Sequence, residues 1–434
     1  MLAYYIDIAA KNLKKSRVLT ALIIAALGLG VGCSMTMISV VHSMSGDPLP
    51  LRSAQLFYPQ LDPSPPGFAQ ASDSNPAENF TWFDAKNLLD AHRAEKQAMM
   101  AGGRVSVRAE DGRSKASEVR GRYVTSEFFE MFGSPFASGQ AWSAEQDGNR
   151  ARIVVLNKRL AQKVFGDAEY VGRNLLINET TYRVVGILDD WHPQPLFYGG
   201  TGGDSAFKNA DDFFLPLNTA MEQKLPVTGG MACWGRGAAD RLGSDCAWLQ
   251  FWVQLSTPER VAAYQEFLAN YWREQRMSGR ATMTEDPKLY TLMQRLDQLR
   301  LVPPEVALQL WLSLAFLAVC IFNTSSLMFA KFLGRRDEVC IRRAMGASRA
   351  NILSQFGIES ALLGVAGASI GFAVALMGLW LVKQRPDGYA AVVGMDTVML
   401  LSTITLSVIA AMISALVPAW RICRVEPALQ LNLM

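Results

Sequence analysis

The stretch RRDEVCIRRAMGASRAN, from Arg335 to Asn351, lies between two long apolar runs. VALQLWLSLAFLAVCIFNTSSLMFA precedes it and ILSQFGIESALLGVAGASIGFAVALMGLWLV follows it. Each run is long enough to cross a hydrocarbon core, which takes roughly 20 helical residues. Two spans normally need only a short polar turn between them, yet this connection is long, densely charged and helix-friendly. Its charges fix which side of a membrane it occupies, and the fold follows from that.

Working outward, two more apolar runs reach spanning length. The four expected spans are Val18–Val41, Val306–Ala330, Ile352–Val382, which carries Glu359, and Met395–Val417. Basic residues outside the region Gly46–Val302 gather in three clusters. Lys11, Lys14, Lys15 and Arg17 precede span 1; Lys331, Arg335, Arg336, Arg342, Arg343 and Arg349 join spans 2 and 3; Arg421 and Arg424 follow span 4. With four spans all three clusters fall on one side, which the positive-inside rule makes cytoplasmic. The segment 1–17, the connection 331–351 and the tail 418–434 are therefore expected inside, and the loop Gln384–Gly394 and residues 42–302 outside. Span 1 is longer than a signal-peptide core and lacks a small-x-small cleavage site, so it reads as a retained anchor.

Composition agrees with a mixed architecture. The chain has 434 residues, 50% of them hydrophobic, and a mean hydropathy of +0.12. That is apolar for a soluble protein and polar for one wholly within the bilayer. The net charge of +3 is not gathered on one face of a folded domain, which argues against nucleic-acid binding. The fold class is membrane α-helical with four transmembrane helices, plus an α/β domain inserted between helices 1 and 2.

The inserted region shows both periodicities. TWFDAKNLLDAH is an amphipathic helix capped by Thr81 or Asn79. RVSVRAE and ASEVRGRYV alternate around the turn EDGR, a hairpin signal. TSEFFEMFG and KRLAQKVFG read as helices stopped by Gly133 and Gly166, and ARIVVLN, LLINETTYRVVGIL and WLQFWVQL as strands. Residues 189–245 lack periodicity and read as an insertion. Thr257, Pro258 and Glu259 open a helix. KLYTLMQRLDQLRL places Leu289, Leu292, Leu296 and Leu299 at helical spacing, so 257–302 is expected to be a helical stalk leading into span 2.

Cys233 and Cys246, in MACWGRGAADRLGSDCAW, are spaced to close a disulfide in an oxidising compartment. With three histidines (His42, His92, His192) and no second Cys pair, no metal site is expected. No phosphate-loop motif, nucleophile elbow or H-E-x-x-H pair occurs, and His192 beside Asp189 and Asp190 reads as structural, so no catalytic residue is expected.

The opening stretch itself reads as a short helix. Cys340, Ile341, Ala344 and Met345 line one side, and Arg335, Glu338 and Arg342 another, with Glu338 four residues before Arg342. Gly346 stops the helix and Ser348 caps the next. Such an element is either an anchor against anionic lipid or a docking element for a cytoplasmic partner. Glu359, inside span 3, is a functional candidate by its position, paired with Arg349 or with the connecting helix. Gly28 and Gly32 form a G-x-x-x-G in span 1, expected at a dimer contact.

GRRDEVCIRRAMGASRANILSQFGIESALLGVAGASIGFAVA resembles the signature region of FtsX/MacB-type ABC transporter permeases, and VPAWRICRVEPALQL resembles that family's tail. GRYVTSEFFEMFGSPFASGQAW and IVVLNKRLAQKVFGDAEYVGRNLLINETTYRVVGIL resemble the MacB-like periplasmic core; residues 189–245 depart from it. The resemblance implies a type VII permease in a bacterial inner membrane. It would act with a second permease, identical or a diverged sister, and with a separate ABC ATP-binding subunit that holds ATP and Mg, this chain binding no cofactor. A periplasmic adaptor and an outer-membrane channel are further expected partners. Arg335, Arg336, Glu338, Ile341, Arg342, Arg343, Met345 and Gly346 would then form the coupling helix that conveys ATP-driven motion to the periplasmic domain, called mechanotransmission. Charge reversal at Arg342 and Arg343 is expected to abolish coupling. Efflux of peptide-like or amphiphilic cargo is the leading reading, with a signal relay to a periplasmic hydrolase, or lipoprotein extraction, as alternatives.

Overall fold

The computed structural model describes residues 9, 12–13, 16–65, 79–110, 115–166, 169–199, 206–207, 210–234, 241–243, 245–280, 286–385, 390, 393–394 and 397–423. Lys11, Lys14, Lys15, Arg424, the tail beyond Cys423 and most of the EDGR turn lie outside the described residues. The chain divides into two units, Met1–Ser45 with Val302–Met434, and Gly46–Leu301.

In the first unit, four helices among the described residues are long and apolar enough to cross a membrane: Arg17–Ser45, Pro304–Leu333, Arg349–Lys383 and Thr397–Cys423. Each of the first three extends past its apolar run into polar sequence. Glu359 does not break span 3, which is one helix of 35 residues. Small residues set the helix spacing. A Cβ on Gly28 would lie 2.7 Å from Ile370 Cβ, and one on Gly32 2.6 Å from Val374 Cβ. Both glycines are thus taken up by span 3 of the same chain, which corrects their expected role in a dimer contact. Ser407 of span 4 donates to Gly364 O at 2.7 Å, and Ser34 of span 1 to Ser313 O at 3.0 Å, so hydroxyls join helices as well as glycines do.

The second unit is α/β. Its strands are β1 Leu56–Gln60, β2 Phe80–Thr81, β3 Lys96–Ala109, β4 Ser117–Val124, β5 Phe136–Gly139, β6 Ile153–Asn157, β7 Asn174–Ile177, β8 Thr180–Leu188, β9 Phe213–Pro216, β10 Val227–Thr228, β11 Ala232–Cys233, β12 Cys246–Gln254 and β13 Lys288–Thr291. The main path runs β13-β1-β12-β3-β4-β9-β6-β8-β5. Its helices are α1 Trp82–Asp90, α2 Phe128–Phe132, α3 Ala144–Gly148, α4 Lys158–Phe165, α5 Leu217–Glu222, α6 Pro258–Met277 and α7 Leu292–Gln298. Thr81, not Asn79, caps α1, accepting from Asp84 N at 3.1 Å. Thr257 caps α6, and Gly133 ends α2 in the left-handed region at φ 66°.

Residues 189–245 are not an appendage. They supply β9, which pairs in parallel with β4 and antiparallel with β6 and so fills the middle of the sheet. Phe213 and Phe214 are buried there, Phe214 beside Phe128 and Phe129 in an aromatic core. Arg122 of β4 holds Asp211 at 2.9 Å, both buried, and its Nη1 donates to Gln250 of β12 at 3.3 Å. Cys233 and Cys246 are register partners on β11 and β12 and form a disulfide. The expected helical stalk over 257–302 is also corrected. Lys288–Thr291, with Leu289, is a strand paired with β1, and α7 begins only at Leu292.

Candidate coupling site

Span 2 ends at Leu333, Gly334 follows as its cap, and the linking helix Arg336–Ala344 begins almost at once. It closes as the sequence implies. Gly346, at φ 97°, lets its own N–H reach Arg343 O and that of Ala347 reach Arg342 O, at 3.1 and 3.0 Å. Ser348 Oγ then accepts from Asn351 N at 3.2 Å and starts span 3. Left-handed backbone followed by a side-chain cap turns the chain sharply, so the helix is confined between two spans.

Its inner face is held by charge. Glu359 is fully buried, and its two carboxylate oxygens take different cations: Lys331 Nζ at 3.0 Å and Arg335 Nη1 at 2.7 Å. Arg335 Nε also reaches Glu338 at 3.4 Å, and Glu338 takes Arg342 Nη2 at 2.5 Å. Arg342 Nη1 donates to Gln355 Oε1 at 2.7 Å. Lys331 Nζ donates further to Thr20 of span 1 at 3.3 Å. The result is a ladder in which Gln355 and Glu359, one turn apart on span 3, each receive one arginine from the linking segment. Below it, Val339 is buried in a core with Ile23, Leu27, Met328, Phe332 and Phe356. The rings of Phe332 and Phe356 stack at 4.2 Å, with the Arg335 guanidinium 5.9 Å from the Phe356 centroid.

The outer face is different. Ile341 is 59% and Met345 76% exposed. Arg336 and Arg343 are half-buried, and Arg349 is exposed.

Five of the eight expected coupling residues therefore fall into two sets, while Arg336 and Arg343 are half-buried and Gly346 ends the helix. Arg335, Glu338 and Arg342 turn to the bundle and fix the helix in place, whereas Ile341 and Met345 are presented outward. Glu359 pairs with the linking segment and with Lys331 rather than with Arg349. Sequence reasoning missed Lys331, Gln355 and Val339. A signal for the first two existed: Lys331 and Arg335, and Gln355 and Glu359, are four apart, which puts each pair on one helix face. His192 lies elsewhere, on an exposed loop beside Asp190, and no cluster of metal-ligating side chains occurs among the described residues.

Two families match the chain. Residues 20–271 match the MacB-like periplasmic core domain family, and residues 310–427 the FtsX-like permease C-terminal family. Among individual proteins, the macrolide export ATP-binding/permease protein MacB of Salmonella typhi is 22% identical over 309 residues, 70% of this chain and 42% of that protein. The protein of the same name from Chromobacterium violaceum is 27% identical over 253 residues, 58% of this chain and 34% of that protein. The chain thus spans less than half the length of these relatives. The periplasmic region of MacB from Actinobacillus actinomycetemcomitans aligns with 56% of this chain and 92% of its own, at 13% identity and a TM-score of 0.36, a likeness that adds nothing to the assignment. The family matches, which together span most of the chain, carry it: the chain belongs to the FtsX/MacB-type ABC transporter permeases, membrane proteins with a MacB-like periplasmic core domain.

Proposed function

We propose that this chain is the permease subunit through which an ABC ATP-binding subunit drives rearrangement of a periplasmic domain across the bacterial inner membrane. ATP and Mg would sit on the ATP-binding subunit, and a second permease, identical or a sister, would complete the assembly. The observation that carries this reading is the two-faced linking helix. Its inner face is tied to spans 2 and 3 by Val339 and the Glu359 ladder, and its outer face offers Ile341 and Met345 to the cytoplasm. An apolar pair left in water on an otherwise basic helix suits a groove on a partner that is apolar at its floor. Because the helix is pinned at both ends, displacement of its outer face displaces both spans.

The export role of the MacB relatives, as their name states it, supports efflux of peptide-like or amphiphilic cargo as the work done. A periplasmic adaptor and an outer-membrane channel would then complete the route.

The test separates the two faces. Ile341→Asp with Met345→Asp is expected to leave the chain folded in the membrane and to abolish co-purification with the ATP-binding subunit. Arg342→Glu is expected instead to loosen the linking helix from Gln355 and lower the chain's own stability. Retention of the ATP-binding subunit by the double aspartate variant would remove the docking face from the mechanism.

A further inference from the structure

The periplasmic-type domain connects to the spans at two points of the chain. It begins at Gly46 and ends at Leu301. Those two ends are far apart in sequence, yet they are paired with each other in the fold. The incoming strand β1 and the outgoing strand β13 are antiparallel partners, with Phe57 opposite Thr291, Tyr58 opposite Tyr290, Pro59 opposite Leu289 and Gln60 opposite Lys288. α7 follows β13 directly, and its buried Arg295 lays its guanidinium 4.5 Å from the centroid of the Tyr58 ring. A guanidinium over an aromatic face is attracted to it most strongly where water is excluded.

The attachment of this pair to the remainder of the sheet is narrower. Among the described residues β13 pairs with β1 alone, and β1 pairs otherwise only with β12. That second ladder is two register pairs long, Leu56 opposite Gln254 and Phe57 opposite Val253, with Leu255 N donating to Gln55 O at 2.9 Å just before it. Pro59 has no N–H to extend it. Side chains add an edge contact of Tyr58 on Trp252 at 5.2 Å, and Arg52 Nη1 donates to Glu130 O at the end of α2 at 2.7 Å.

We infer that β1 and β13 act as one two-stranded ribbon that carries the displacement of both chain crossings into the sheet as a single body, hinging where β1 meets β12. The inference rests on the reading that ATP moves the spans. Pulling the two crossings in opposite senses would shear four register pairs and drag buried Arg295 off Tyr58. Moving them together strains the two-pair β1–β12 ladder with its flanking Leu255–Gln55 and Gln254–Gln55 bonds, the contacts of Tyr58 with Trp252 and Phe80, and the Arg52 bonds to Glu130 and Met131. The second route crosses a backbone ladder of two register pairs rather than four, so the joint lies there, and Arg295 and Tyr58 position the ribbon rather than bind anything.

Two engineered disulfides in the full chain, purified with its ATP-binding subunit, test this. Gln60→Cys with Lys288→Cys staples the ribbon internally; Leu56→Cys with Gln254→Cys staples it to the sheet. Hydrogen exchange is followed with and without ATP and vanadate, before and after oxidation. In the unmodified protein ATP is expected to change exchange in the linking helix and in β12. The internal staple should preserve both responses. The hinge staple should preserve the linking-helix response and remove the β12 response, with loss of coupled ATPase turnover. Should the Leu56 variant fail to assemble, Phe57→Cys with Val253→Cys replaces it, the other register pair of the same ladder. Loss of the β12 response with the internal staple, or its survival with the hinge staple, overturns the single-ribbon joint while leaving the docking reading intact. No ATP response in the linking helix of the unmodified protein overturns both.

Discussion

Glu359 is one carboxylate serving two cations, and the arithmetic of buried charge sets what its loss would do. Glu359→Gln leaves Lys331 and Arg335 without that anion. Breaking a buried pair by removing one partner costs about 3–5 kcal/mol, so the thermal unfolding midpoint in detergent should fall markedly. Replacing the pair together, Lys331→Met with Glu359→Met, should recover part of that loss, because Arg335 keeps Glu338 as a partner at 3.4 Å. A second residue-scale expectation concerns Asp147 of α3, which is buried with its carboxylate accepting from Asn218 Nδ2 at 3.2 Å. Burial pushes its pKa up to about 6, against the lowering pull of Asn218, the Ser126 backbone and Lys86. The folded state therefore holds this proton more tightly than the unfolded chain does. Its contribution to stability is complete below the unfolded carboxylate range near 4 and is lost as pH rises through 6, a change on the order of 2–3 kcal/mol. Asp147→Asn should raise stability at pH 7.5 and flatten the profile between about pH 4 and 6, as read by thermal unfolding across pH.

Elements divide by how local their causes are. Caps were legible because they act within one turn: Thr81, Thr257 and Ser348 each hold the N–H three residues on, and Gly133 and Gly346 adopt backbone that side chains resist. Strands β3, β4, β6 and β8 were legible by alternation or by short apolar runs between turns. β9 was not, because DDFFLPL is brief and sits in Gly- and Pro-rich sequence; what makes it a strand is the slot between β4 and β6. The Leu289 seam failed for a related reason. Leucines at helical spacing satisfied a local pattern, but Lys288–Thr291 is claimed by β1, from the other end of the domain. Phe214→Ala should cost about 3–5 kcal/mol, typical of an aromatic removed from a core, and a loss of less than 1 kcal/mol in denaturant unfolding would mean that β9 does not hold the sheet together. In the bundle, Gly28→Leu should force spans 1 and 3 apart, since even a Cβ meets Ile370 at 2.7 Å. Protease resistance of the chain in mild detergent should drop. A glycine reserved for a second copy would instead change cross-linking between chains and leave that resistance intact.

At the scale of the whole molecule, the order of span, domain and three spans was legible because hydropathy and charge placement both act over tens of residues and agreed. The coupling site was legible as a segment and not as faces. A helical wheel sorts residues by angle, but which angle meets the bundle depends on Glu359 and Gln355, which belong to another helix. That is why Arg342, expected as a coupling residue, lies against Gln355 of span 3 in the fold. The placement of β1 between β12 and β13 bears also on how the protein is made. Gln55, just before β1, meets Gln254 across 199 residues of chain. At a synthesis rate of about 5–20 residues per second, β1 waits roughly 10–40 s for its first neighbour. Through that interval an apolar strand stands with both backbone edges open, newly delivered to the far side of the membrane, which is the condition under which strands pair wrongly. Export of this permease should therefore lean on a holding chaperone in that compartment, and its misfolded fraction should rise with expression rate faster than the stability of the finished fold would suggest.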